Sequence, residues 1–149
     1  MRVVLQRVSR AAVGVGGERV AEIGRGFVLL VAAGAKDRPG EATRLAEKVF
    51  NLRVFADDED KMNLSLSDVG GEVLVVPQFT LYADVKKGRR PSWAGAAPPD
   101  EAAARVEELA GALEALGAKV ARGAFREHMA VELVNDGPVT LVLDGAELH

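Results

Sequence analysis

Leu74-Val75-Val76-Pro77-Gln78-Phe79-Thr80-Leu81-Tyr82 opens as an unbroken apolar run and turns polar at a proline. An uninterrupted run of this kind reads as a strand buried on both faces. Pro77 removes a backbone donor, and a carboxamide, an aromatic ring and a hydroxyl follow in consecutive positions. Two readings stay open on this stretch alone: a strand ending at a sheet edge, or the wall of a site.

Outward from it, the N-terminal side is rich in strand signals. Residues 2–8 alternate apolar and polar, as a half-buried strand does. Two short β-prone runs follow, 11–15 and 18–23, and Gly16-Gly17 between them suits the positive φ angles of a two-residue hairpin. Gly14, Gly16 and Gly17 do not make a dinucleotide loop, because the third glycine of that motif is missing and no helical pattern follows. Residues 27–33 are a second fully apolar run and read as a central strand. After Pro39-Gly40, the residues Ala42, Leu45, Ala46, Val49 and Phe50 form one helical stripe. Residues 52–55 are predicted as a strand. The acidic run Asp57-Asp58-Glu59-Asp60 lacks the glycine and glutamate of a calcium loop and reads as a solvated turn. Gly70-Gly71 then turns the chain into the central stretch.

On the C-terminal side, Lys86, Lys87, Arg89 and Arg90 stand in a basic loop that ends at Trp93. It reads either as a solvated loop with Trp93 pinned to the core, or as a phosphate-contacting loop. Pro98-Pro99-Asp100 introduces a second helix with Asp100 as its predicted N-cap, Val106, Leu109, Ala110 and Leu113 as its apolar face, and Gly117 just past its end. Residues 119–122 form a short strand. Residues 129–143 are predicted as a hairpin joined by Asn135-Asp136-Gly137-Pro138. By themselves these four residues read as an ordinary hairpin loop, although Pro138 withholds a ladder donor and permits a cis bond.

Composition narrows the chemistry. With 149 residues, 48% hydrophobic and 28% charged, the chain reads as one globular domain, residues 1–149, large enough for a core. The absence of cysteine excludes a disulfide scaffold, thiolate zinc sites and cysteine nucleophiles together. The first residues are too interrupted by charge for a signal peptide, and no apolar run approaches the roughly 20 residues of a membrane span. A soluble cytoplasmic protein without membrane association is expected. The net charge of −3 confines any RNA contact to a local patch. His128 and His149 are the only imidazoles, and neither stands in a triad or metal-ligand spacing. His128 reads as a partly exposed residue leading into a strand. No metal and no cofactor are expected, so any catalysis must lean on backbone groups and on the substrate itself.

Five motifs then converge: Gln6-Arg7-Val8, Lys61-Met62-Asn63-Leu64, Pro77-Gln78-Phe79-Thr80-Leu81, Arg90-Pro91-Ser92 and Asn135-Asp136-Gly137-Pro138-Val139-Thr140. Their order and spacing closely resemble D-aminoacyl-tRNA deacylases across nearly the whole chain. The resemblance implies an α/β fold: a single-domain mixed β/β/α three-layer sandwich with two main helices, assembled as a homodimer. It implies hydrolysis of the ester linking a D-amino acid to tRNA, with some action on glycyl-tRNA. It also implies a cis Gly137–Pro138 bond that reaches across the dimer into the neighbouring site as a chirality filter. Arg7 would brace that loop, with Asn135 and Met129 belonging to the same substrate-binding set. Gln78, Phe79 and Thr80 would line the pocket for the ester and the terminal adenosine. Lys86, Lys87, Arg89 and Arg90 are the candidate tRNA contacts.

Such a filter needs no reactive side chain. If the carbonyls of Gly137 and Pro138 accept the substrate ammonium and an amide near Phe79 holds the ester oxygen, the side chain can point only one way for each enantiomer. The resemblance also implies that the 2′-hydroxyl of the terminal adenosine assists, in place of a protein base. Thr80 is then a positioning residue rather than a nucleophile, since no base is placed to activate it. One position departs from the family, which most often has serine where this chain has Pro77. A related branch with proline there acts on mischarged L-alanyl- or glycyl-tRNA, but it differs at the positions of Phe79 and Val139, which this chain keeps in the D-specific form. That branch is the alternative reading, and a non-catalytic dimeric RNA-binding module is the other.

Overall fold

The computed structural model describes residues 1–148; His149 lies outside the described residues. In chain order the elements are β1 (Arg2–Val15), β2 (Glu18–Ile23), β3 (Gly26–Ala32), α1 (Glu41–Asn51), β4 (Phe55–Ala56), β5 (Met62–Leu64), β6 (Glu72–Pro77), α2 (Pro99–Ala115), β7 (Lys119–Arg122) and β8 (Ala130–Asp144). The fold is mixed α/β, with one large sheet and two helices.

β1 organises the sheet. Along one flank it pairs antiparallel with β3 through residues 2–8 and with β2 through residues 11–15, while β8 takes the other flank. The two runs predicted as separate strands, 2–8 and 11–15, are thus one continuous strand, irregular in register near Val8. β3 continues in parallel to β6, and β6 in parallel to β7. Both β3 and β6 are apolar along their length because both faces are covered. Leu5, Phe27, Leu29 and Val75 meet Leu45 of α1 and Leu109 and Leu113 of α2. On the opposite face Val28, Leu74 and Val76 pack with Val8, Ala11, Val13 and Ile23, so β2 and the distal part of β1 fold over the sheet. Each of the buried leucine, valine, isoleucine and phenylalanine side chains among these contributes about 1.5–3 kcal/mol by leaving water.

Three further predicted features differ. Residues 52–55 are not a strand: β4 begins only at Phe55, which is 1% exposed and stacked on Phe27 with ring centroids 5.0 Å apart. Asp100 is not the N-cap of α2, since Pro98 caps and Pro99 is the first helical residue. A proline there lacks only an N–H the helix does not use, and Asp100 and Glu101 add favourable charge in the first turn. The largest difference lies in residues 129–143, which form no hairpin. β8 is a single strand that stays on β1 from Ala130 to Asp144. Between Val8↔Asn135 and Gln6↔Thr140 it takes five steps against two on β1, so the Asp136-Gly137-Pro138 segment swells out of an otherwise continuous ladder. The Asn135 carboxamide closes the neck of this excursion. Its Oδ1 accepts the Val139 N–H at 2.8 Å and its Nδ2 donates to Thr140 Oγ1 at 2.9 Å.

Candidate active site

The parallel strands end together. Pro77 lies opposite Val31, and the next residue, Gln78, donates its N–H to the Val31 carbonyl at 2.7 Å. The chain then leaves the sheet as a 3-10 turn, Phe79–Tyr82. Amides that open such a turn have no acceptor inside it, which leaves the Phe79 region able to donate outward. The Gln78 carboxamide holds the Thr80 hydroxyl from Nε2 to Oγ1. Behind the turn, Arg2 donates to the Leu81 carbonyl at 3.0 Å and lies over the Tyr82 ring at 4.4 Å. Burial, and then the negative charge of Asp37, push the Tyr82 hydroxyl far above its ordinary pKa, so it stays neutral as a structural anchor.

A cleft of about 630 Å³ opens at these strand ends. Pro77, Gln78 and Phe79 form one wall. Trp93 and Ala97 come from the segment before α2, and Phe125, Arg126, His128 and Met129 from the β7–β8 connection. Phe79 remains 56% exposed and meets Trp93 edge-on, with centroids 5.2 Å apart. Trp93 is itself exposed to 39%, so it is a lip of the cleft and not a core anchor. An aromatic, largely apolar slot with a few polar groups at its rim suits a nucleoside and an ester better than a highly charged ligand. Among the described residues, no group of three His, Asp or Glu side chains is placed to hold a metal ion.

The sequence-predicted residues fall into two clusters. Gln78, Phe79 and Met129 line the cleft, and Thr80 is bound to Gln78 beside it. Arg7, Asn135, Gly137 and Pro138 gather elsewhere, around the β8 excursion. There Arg7 donates from Nε to the Asp136 carbonyl at 2.9 Å and from a terminal nitrogen to the Val54 carbonyl at 2.6 Å. The Gly137–Pro138 bond is cis. Gly137 has φ of +140°, and a Cβ on it would sit 2.9 Å from Val139 Cγ2 and 3.1 Å from the Arg7 guanidinium. Gly137 and Pro138 are both exposed and do not line the cleft of their own chain.

Phe125 and His128 are cleft residues that sequence reasoning missed. The signal that finds them is topological: loops following neighbouring parallel strands meet at the carboxyl ends of those strands. Lys86, Lys87, Arg89 and Arg90 lie in an exposed loop whose base is closed by Asp84 and Ser92, bonded backbone to backbone at 2.8 and 2.9 Å.

The family profile described as D-Tyr-tRNA(Tyr) deacylase matches residues 4–144. A D-aminoacyl-tRNA deacylase from Thermomicrobium roseum is 58% identical over 149 residues, covering 100% of this chain and 97% of its own. One from Desulforudis audaxviator is 55% identical over 148 residues, 99% of each chain. A solved structure described as "c-Myc DNA Unwinding Element Binding Protein" is similar with a TM-score of 0.91 at 37% identity, covering 97% of this chain and 98% of that one. Another, described as "Structural Analysis of a probable eukaryotic D-amino acid tRNA deacylase", shares the fold with a TM-score of 0.77 at 20% identity, over 95% and 97% of the two chains.

Proposed function

The chain belongs to the D-Tyr-tRNA(Tyr) deacylase family, and on that premise we infer that it hydrolyses the ester joining a D-amino acid to tRNA, a proofreading reaction of translation. It is a hydrolase acting on ester bonds, its nucleic-acid partner is aminoacylated tRNA, and its place of action is the cytoplasm, where charged tRNA is used. Residues 1–149 act as one deacylase-like domain. The observation that carries this function is the position of Gln78 and Phe79 on the cleft wall of a chain 58% identical over its length to a D-aminoacyl-tRNA deacylase.

In this reading the terminal adenosine enters between Phe79, Trp93 and Phe125, and the ester lies against the turn at Phe79. An amide there faces the oxygen on which charge develops, a contribution of roughly 10²–10³ in rate for one well-placed donor. An aminoacyl ester is already activated, so that donor and the adenosine's own 2′-hydroxyl suffice without a protein base. Thr80 positions through its bond to Gln78.

The filter comes from a second copy of the chain. Gly137 and Pro138 are exposed and do not line their own cleft, yet their excursion is held in shape by Arg7 and Asn135. A loop so tightly supported and so exposed suits insertion into a partner. Among the described residues nothing pairs with the flank of β8 away from β1, and Val131, Val134 and Val142 stand exposed along that strand, which supports its burial in a homodimer. Inserted, the Gly137 and Pro138 carbonyls accept the substrate ammonium, and backbone blocks an L side chain while a D side chain points outward.

Catalytic amounts of protein mixed with D-Tyr-tRNA and L-Tyr-tRNA test the function. Repeated turnover of the D ester with the L ester left intact is expected; stoichiometric protection without turnover would overturn it. Because Pro77 stands in the cleft wall, the same assay includes D-alanyl-, L-alanyl- and glycyl-tRNA. Preferential cleavage of the L-alanyl ester would assign the chain to the related proofreading activity instead.

A further inference from the structure

We propose that the mouth of the cleft is a phosphate-binding rim that seats the tRNA acceptor stem, built from Lys86, Lys87, Arg89 and Arg90 in one loop with Lys36 and Arg126 from two others. The proposal rests on the deacylase reading and adds which surface holds the RNA.

Three loops converge on the cleft. The basic loop is closed at Asp84 and Ser92, directly before Trp93 on the cleft lip. The segment after β3 is stitched to the same lip: Ala35 donates its N–H to the Gly95 carbonyl at 2.9 Å, and Ala97 donates to the Ala33 carbonyl at 3.0 Å. These bonds bring Lys36 beside Gly95 and Ala96. Arg126 lines the cleft from the β7–β8 connection.

Placement around the cleft, together with the lack of carboxylate partners, distinguishes these cations. Arg2, Arg7, Arg19, Arg38, Lys61, Arg105 and Arg122 each have a carboxylate within 4 Å; among the described residues none of the six rim cations does, and Arg10, Arg25, Arg44, Lys48, Arg53 and Lys119, which are not on these three loops, have none either. Neighbouring carboxylates are engaged elsewhere: Asp37 holds the Met1 ammonium, Glu101 holds Arg105, and Asp84 accepts the Lys86 backbone N–H. Glu127 shares the cleft wall but pairs with none of them. In a chain of net charge −3, six cations without a carboxylate partner thus stand on loops that converge on one opening. The cleft takes only the terminal nucleoside and its ester. The duplex behind that nucleoside is a line of phosphates, and fixed cations beside the opening bind it by releasing its counterions.

The test compares two substrates, D-Tyr-tRNA and the minimal ester 3′-O-D-tyrosyl-adenosine, across a salt titration. The quadruple variant K86Q/K87Q/R89Q/R90Q is measured against wild type and against K48Q/K119Q, whose lysines also lack a carboxylate partner but stand on α1 and at the start of β7, outside the three loops. The quadruple variant is expected to lose at least about tenfold in kcat/KM on D-Tyr-tRNA at low salt, and its salt slope should flatten by about 3–4. Its activity on the adenosine ester should stay within about twofold, since that substrate carries no phosphate. K36Q and R126Q should each flatten the slope by about 1. A wild-type slope in the quadruple variant overturns the rim while leaving the deacylase reading intact. Equal losses on both substrates also overturn it, because the charges would then serve the site and not the RNA. Failure of the wild-type protein on both substrates overturns the deacylase reading itself, and the rim with it.

Discussion

Arg7 Nε donates to the main-chain carbonyl of Asp136 at 2.9 Å, and the same guanidinium reaches the Val54 carbonyl at 2.6 Å. One side chain from the middle of β1 thereby ties the Gly137-Pro138 excursion to the segment leading into β4. The planar fork satisfies two carbonyls at once, which an ammonium on a flexible stem does less well. Arg7→Lys should therefore fold, because Arg7 is not part of the apolar core, but hold the excursion loosely. We expect kcat/KM on D-Tyr-tRNA to fall by about 10–100-fold, matching the loss of one charge-assisted bond of about 1.5–3 kcal/mol. Steady-state kinetics with circular dichroism of both proteins checks this; wild-type kinetics in Arg7→Lys would show that the brace is dispensable.

Thr80 is bound to the Gln78 carboxamide, and among the described residues no imidazole or carboxylate bonds to its hydroxyl. Removing the hydroxyl leaves the Phe79 backbone where it is. Thr80→Ala should retain activity within about tenfold of wild type, the scale of one lost neutral hydrogen bond. Loss of turnover to background, with folding intact, would instead identify the hydroxyl as a participant in the chemistry.

Glu41 is 2% exposed and accepts the Met1 ammonium at 2.6 Å, which Asp37 also meets at 2.5 Å. Burial pushes the Glu41 carboxyl up, but the hydrogen bonds from Met1 and the Arg38 N–H and the nearby positive charges outweigh it and leave the pKa below the ordinary value. A depressed folded-state pKa stabilises the fold above the unfolded glutamate value of about 4.3 and ceases to do so as pH falls through the lower folded value. Glu41→Gln should cost about 2 kcal/mol at neutral pH, less than the ~3–5 kcal/mol of a fully orphaned buried charge because Asp37 remains. The gap between wild type and variant in urea unfolding should narrow as pH is lowered toward 3–4. A gap independent of pH would mean that the carboxylate charge is not what stabilises this corner.

Local patterns foretold much of this molecule. The apolar stripe from Ala42 to Phe50 lies on α1, the runs in β3 and β6 are the buried centre of the sheet, and Gly16-Gly17 is the turn expected. What was illegible depended on partners far away in the chain. Asn135-Asp136-Gly137-Pro138 has the composition of a reversal, yet β1 is long enough to hold β8 on both sides of it, and the Asn135 carboxamide bridges the gap. Phe125 and His128 share a cleft with Gln78 only because β6 and β7 run parallel, which no local periodicity announces. The motif residues themselves split into two clusters within one chain, a separation visible only in three dimensions.

That separation is tested most directly by subunit complementation. Gly137→Val spoils the excursion, since its φ of +140° is poorly open to a side chain and a Cβ would crowd Val139 and Arg7, while Phe79→Asp spoils the cleft wall. Each variant alone should be inactive on D-Tyr-tRNA. If the filter of one copy serves the cleft of the other, dimers formed by co-expressing the two contain one site with both parts intact, and about a quarter of wild-type activity should return. Mixed dimers as inactive as either parent would contradict the account, because every site would then have drawn its cleft and its filter from the same chain.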